Sequence, residues 1–96
     1  MIGVLFDAVG KTQADYDAVA KQLAVRRKLH KSGWVAPGII AHVAGPIENG
    51  WRVIDVWETE EAFRHFSDEF LRPAFKDGGV VEARPHIFQV YNFVKF

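Results

Sequence analysis

A histidine and an aspartate stand inside an otherwise apolar hairpin. In the stretch IIAHVAGPIENGWRVIDVWETEEAF, Ile39 to Phe63, two β-branched runs flank the turn signal GPIENG, and His42 and Asp55 fall within them. Burying a polar group without a partner is costly, so the two should find each other. Register decides whether they can. If Glu48-Asn49 are the turn residues, or if 47–50 form a four-residue loop, His42 lies directly opposite Asp55. If Asn49-Gly50 makes a type I′ turn, His42 faces Trp57 and Asp55 sits diagonally. In each register, even residues of the first strand share a face with odd residues of the second. His42, Asp55 and Trp57 then form one patch, with Trp51 at its margin, and opposed side chains sit about 5 Å apart at Cβ.

Two readings of the pair are open on these residues. In one, the histidine–aspartate hydrogen bond satisfies both groups and only fixes register. In the other, Asp55 orients the ring and leaves its second nitrogen free as a general base or hydrogen-bond donor, so that His42 and Asp55 are catalytic. Aromatic walls beside a polar pair describe a small-molecule pocket. Trp57, Trp51 and Phe66 are the aromatic residues expected to hold a ligand ring. Asn92, a polar residue in the aromatic run HIFQVYNFVKF, is a further expected contact. Arg27 and His30 fall on the Tyr16/Val19/Leu23 side of the first helix, from which Arg27 reaches the pocket mouth or else snorkels along the helix end. His65 points away from the Phe63/Phe66/Phe70 stripe and reads as a surface histidine.

Composition excludes much else. The chain has no cysteine, which removes disulfides, thiolate catalysis, Fe–S clusters and cysteine-ligated zinc. The four histidines lack H-x-H or H-x-x-x-H spacing, so no metal is expected. There is no glycine-rich phosphate loop, no G-x-S-x-G and no nucleotide fingerprint, and no cofactor is expected from the residues. Twelve acidic residues balance twelve basic ones, so no long-range field draws the chain to nucleic acid or to an anionic membrane. MIGVLFDAVG lacks the marks of a signal peptide and no apolar run approaches a membrane span, so a cytoplasmic soluble domain is expected.

The elements that must position the patch can be read from periodicity and caps. IGVLFD (Ile2 to Asp7) is a short strand. Thr12 with Asp15 resembles a capping box, and Tyr16, Val19, Ala20 and Leu23 recur as one helical face. The basic run Arg26, Arg27, Lys28, His30, Lys31 closes that helix before Gly33. After the GWVAPG loop and the hairpin, Thr59 caps a second helix with Glu60 and Glu61 in its first turn. Pro73 should break or kink that helix near Leu71. HIFQVYNFVKF, His86 to Phe96, reads as a long final strand. The order β-α-β-β-α-β spans residues 1–96 as one domain. It predicts an α+β, ferredoxin-like fold, with a four-stranded antiparallel sheet and both helices on one face. Ile39, Ala41, Val43, Ile54 and Val56 form one dry face of the hairpin, and Ile40, Val53, Trp51 and Trp57 make the other largely apolar too. A second layer must cover the face without helices, and a second copy of the chain is the economical source, so a homodimer is expected.

The run DVWETEEAFRHF, Asp55 to Phe66, resembles the W-x-[ST]-x-E-A-F signature of the antibiotic-biosynthesis-monooxygenase-like proteins of the dimeric α+β barrel superfamily. Trp57, Thr59, Glu61, Ala62 and Phe63 match it in spacing, and AHVAGPIENGWRVIDVWE is similar to a subgroup of small bacterial members. The resemblance implies a homodimer whose two sheets form a barrel, with a pocket between each sheet and its own helices. It also implies chemistry from among cofactor-independent oxygenation of polycyclic phenols, haem degradation, polyketide cyclisation and small isomerisations. Trp57 matches a tryptophan often found in the monooxygenase pockets. Many members carry a histidine where this chain has Phe66, and the haem-degrading members carry a tryptophan and a histidine where Phe66 and Lys76 stand, so no axial haem ligand is supplied. The expectation is a small dimeric monooxygenase-like protein that binds an aromatic or polyketide-like molecule and oxygenates it without a cofactor, His42 taking the phenolic proton. Cyclisation or isomerisation by the same base, or a non-catalytic dimer, are the alternatives.

Overall fold

The computed structural model of the chain describes residues 1–27 and 33–96. Four strands, β1 (Ile2–Val9), β2 (Ile39–Ile47), β3 (Gly50–Trp57) and β4 (His86–Gln89), form one antiparallel sheet in the order β2-β3-β1-β4. Helix α1 (Gln13–Arg27) joins β1 to β2, and α2 (Glu60–Phe66), a π-helical turn (Ser67–Leu71) and α3 (Arg72–Asp77) join β3 to β4. This is the predicted ferredoxin-like arrangement. Among the described residues no helix is long and apolar enough to cross a membrane.

Alternation along β1 sets the core. Ile2, Val4 and Phe6 are buried on the helix side, where they meet Val19 and Leu23 of α1, Val53 and Trp57 of β3, and Phe63, Phe66, Leu71 and Ala74 of the second helical run. Both helix starts are capped as their sequences require. The Thr12 backbone N–H donates to the Asp15 carboxylate at 3.0 Å while Thr12 Oγ1 accepts from the Asp15 N–H at 3.4 Å. Thr59 Oγ1 accepts from the Ala62 N–H at 3.1 Å.

Three expectations are corrected. Pro73 does not break the second helix. The chain widens through Ser67–Leu71, where the Arg72 N–H reaches back to the Ser67 carbonyl, and Pro73 then sits in the first turn of α3, where its missing donor costs no helical bond. Ile40 does not share the face of Val53, Trp51 and Trp57. A bulge between Ile39 and Ala41 turns Ile39 toward the core and leaves Ile40 outside. The last strand stops at Gln89, which pairs with Ile2 at the start of β1; one additional bond joins the Val90 N–H to the Met1 carbonyl.

The sheet's outer face carries Val43, Ile54 and Phe88, each substantially exposed, and the segment beyond β4 exposes Tyr91, Phe93, Val94 and Phe96. Polar residues interrupt that face: Arg52 donates to both carboxylate oxygens of Asp7 at 2.6 and 2.9 Å, and this guanidinium, with His86 of β4 nearby, holds the Asp7 carboxyl below its usual range.

Candidate functional site

The hairpin turns at Glu48-Asn49, so Ile47 pairs with Gly50 and His42 lies directly opposite Asp55. Both point toward the helices. His42 Nδ1 and Asp55 Oδ1 are 2.6 Å apart, and the Asp55 side chain is wholly buried. Two residues along β3, on the same face, Trp57 Nε1–H donates to the other carboxylate oxygen at 3.2 Å. An ionised carboxylate only accepts, so the donor inventory puts a hydrogen on His42 Nδ1 and leaves Nε2 as an acceptor in the neutral ring.

That second nitrogen is occupied. The Tyr16 hydroxyl, from the first turn of α1, lies 2.6 Å from His42 Nε2 and donates to it. A hydrogen-bonded chain thus runs Tyr16–His42–Asp55–Trp57. Burial pushes the Tyr16 phenol up to about 12, helped by the nearby charges of Asp55 and Asp17 and opposed by a hydrogen bond from Trp34. Tyr16 therefore rests as a neutral phenol at physiological pH.

Aromatic rings hold the chain in place. Trp34 stacks on the His42 imidazole, with centroids 4.3 Å apart and planes at 20°, and lies almost parallel to Tyr16 at 5.9 Å. Trp51 also packs against Tyr16, tilted, with centroids 5.6 Å apart. Trp34 comes from the loop after α1, which presses on that helix at Gly33: a Cβ there would fall 2.6 Å from the Leu23 Cβ and 2.7 Å from the Ala24 backbone nitrogen. Only glycine permits so close an approach. Arg27 ties the same loop down by donating to the carbonyls of Gly33 and Val35, while its guanidinium lies 5.0 Å from the Phe70 ring and 5.7 Å from Phe66.

Beside this cluster, between sheet and helices, is an apolar cavity of about 50 Å³. Phe6, Val19, Phe75 and Val80 supply much of its wall, Tyr16, Trp34 and Trp51 its aromatic side, and Lys11, Thr12 and Asp15 its polar rim. A void that accepts a benzene ring is about 150 Å³, so the cavity as it stands holds a few waters and no ring. Its least regular wall, Val80, Val81 and Ala83, belongs to the connection between α3 and β4.

The expected site residues divide accordingly. His42, Asp55 and Trp57 form one hydrogen-bonded group, and Trp51 lines the cavity. Trp57 and Phe66 do not line it: both are buried in the core, their rings 5.3 Å apart, behind the cavity rather than in its wall. Arg27 binds backbone carbonyls and two phenylalanines instead of the cavity mouth, because Gly33 and Val35 bring those acceptors within its reach. Asn92 is exposed in the tail beyond β4 and does not join the group, since the strand that was to carry it ends three residues earlier. His30 lies outside the described residues. His65 is exposed, as its helical phase implies. Two members of the group were not anticipated. A tyrosine hydroxyl on a core-facing helical stripe needs a partner, and that was the available signal for Tyr16; Trp34, in a loop, carried none. Among the described residues no group of three His, Asp or Glu side chains is placed to hold a metal ion.

No protein-family model matches the chain, and no curated protein matches it. Solved structures do. SnoaB, a cofactor-independent oxygenase from Streptomyces nogalater, superposes with a TM-score of 0.61 at 18% identity, over 97% of this chain and 94% of SnoaB; a point mutant of SnoaB gives 0.61 at 19% over the same shares. A point mutant of MhuD, with two manganese protoporphyrin IX molecules bound per active site, gives 0.58 at 16%, over 99% of this chain and 98% of MhuD. Among the described residues, the walls of the cavity between this chain's sheet and helices carry no imidazole to ligate a porphyrin metal. At these identities the likeness concerns the backbone: the chain shares the ferredoxin-like α+β fold of SnoaB and MhuD over nearly its whole length.

Proposed function

We propose that the chain binds a small phenolic molecule between sheet and helices, and that Tyr16, His42 and Asp55 take up its proton so that the ring reacts with O₂ without metal or flavin. One observation carries this reading: the buried His42–Asp55 pair does not end at its own hydrogen bond but continues to a phenol that lines a cavity. A ligand hydroxyl donating to Tyr16 Oη lets Tyr16 pass its own proton to His42 Nε2. The charge then resides on the ligand as an oxyanion and on His42 as an imidazolium beside Asp55. Tyr16 is neutral before and after, in keeping with its raised pKa. An electron-rich ring C–H carbon of the phenolate adds O₂, the proton held on His42 returns through Tyr16 to the peroxide, and loss of water from the hydroperoxide leaves a carbonyl where the C–H stood. Entry of a ring requires the cavity to widen, and the irregular 80–83 wall is the part least tied down by regular hydrogen bonds.

The same chain of groups supports a second reading, favoured by the small volume of the cavity and the full occupancy of Asp55: a non-catalytic protein whose polar group fixes the register of the hairpin. His42→Ala separates them. Under the catalytic reading the variant loses ~10²–10⁴-fold in O₂ uptake with a phenolic substrate while binding is largely kept. Under the structural reading no phenol binds, and the variant is destabilised by ~3–5 kcal/mol because Asp55 is left buried and short of a partner. Product formation without O₂ uptake would move the same chain of groups to a cyclisation or isomerisation.

We also propose a homodimer, sheet face to sheet face. The outer strand residues Val43, Ile54 and Phe88 and the apolar tail 90–96 are what a second copy would cover.

A further inference from the structure

The polar groups around the cavity can be accounted for one by one. Asp15 accepts from Thr12, whose hydroxyl is spent in the same capping box. Tyr16 is bonded to His42. Two groups remain. Trp51 lines the cavity, and its indole nitrogen is buried with no hydrogen-bond partner. Lys11 lines the rim, and among the described residues no carboxylate lies within ion-pair distance of its ammonium group. An indole N–H and an ammonium are donors only. A buried donor without an acceptor is a standing cost, and a donor at a cavity wall recovers it only when something in the cavity accepts. The unsatisfied buried group is thus a donor, and the charge at the rim beside it that lacks an ion-pair partner is positive.

We propose that Trp51 Nε1 and Lys11 form an acceptor-recognising pair that selects, among aromatic ligands, those carrying a carboxylate. Trp51 supplies a fixed, desolvated donor beside the Tyr16 ring, and Lys11 supplies the countercharge at the mouth. The ligand is then a hydroxylated aromatic acid: its hydroxyl meets Tyr16 and its carboxylate meets the two donors. This inference rests on the proposed phenol binding and adds to it the residues that determine specificity.

The test is a matched pair of probes, 2-naphthol and a hydroxynaphthoate, titrated by calorimetry into wild type, Lys11→Met and Trp51→Phe. The acid should bind wild type at least tenfold more tightly than the naphthol, and added salt should erode that preference. Each variant should bring the acid-to-naphthol ratio down several-fold toward unity. Lys11→Met, a change at the rim, keeps the test informative if Trp51→Phe folds poorly. Equal binding of the two probes to wild type, or a preference that survives both substitutions, overturns the selective pair and leaves phenol binding standing. Failure of both probes to bind overturns the pair together with the reading on which it rests.

Discussion

Tyr16 is the residue that links the cavity between sheet and helices to the buried pair, and its ionisation offers a direct handle on the arrangement. A tyrosine in an unfolded chain titrates near 10, whereas burial and the charges of Asp55 and Asp17 push Tyr16 up to about 12. The native state therefore holds this proton more tightly than the unfolded state does. Its contribution to stability is fully present below pH 10 and is lost as the pH rises from 10 to 12. The melting temperature should fall across that window, and the fall should be smaller in Tyr16→Phe. Tyrosinate absorbance should show a late step near pH 12 in wild type that the variant lacks. A variant with the same alkaline profile as wild type would mean that Tyr16 is not the perturbed phenol.

At the scale of elements, the hairpin and α1 bring His42, Asp55 and Tyr16 together, but the loop after α1 keeps them in line by laying Trp34 on the imidazole. That loop is held by two devices: the close approach of Gly33 to α1 and the Arg27 guanidinium on its carbonyls. A methyl group at position 33 meets backbone at Ala24, which cannot step aside as a side-chain end would. Gly33→Ala should therefore cost ~1–3 kcal/mol in denaturant unfolding, the usual range for overpacking. It should also lift Trp34 from His42 without touching any polar group of the chain, and under the catalytic reading lower O₂ uptake. Near-wild-type stability with an unchanged tryptophan spectrum would show that the loop adapts and that the stacking is not held from this side.

At the scale of the whole molecule, helices cover one face of the sheet and leave apolar residues exposed on the other. Val43 is 64% exposed on that bare face, Phe88 53% and Ile54 39%. Val43→Glu places a charge at the centre of the proposed contact. In sedimentation equilibrium the wild type should behave as a dimer and the variant as a monomer. Because Val43 points away from the cavity, the Tyr16–His42–Asp55 chain should persist in the variant. A wild-type monomer at micromolar concentration would exclude the sheet-to-sheet dimer.

What the amino-acid sequence determined by itself is local and periodic. Alternation in β1, the caps at Thr12 and Thr59, and the hairpin's two runs specify the element order and the face that His42 shares with Asp55, because each depends on residues a few positions apart. The resemblance of DVWETEEAFRHF to a known signature pointed to the same fold. Other features depended on distances across the chain, and only the tertiary structure decided them. Tyr16 reaches His42 across 26 positions, as the packing of α1 on the sheet sets the reach of its hydroxyl. The final strand ends at Gln89, opposite Ile2 of β1, and Asn92 beyond it is exposed. Trp57 and Phe66 are taken into the core by mutual packing, while Trp34, from a loop without periodic signal, takes the place at the imidazole. Periodicity tells a residue which way to face; what it meets there depends on how the layers stack.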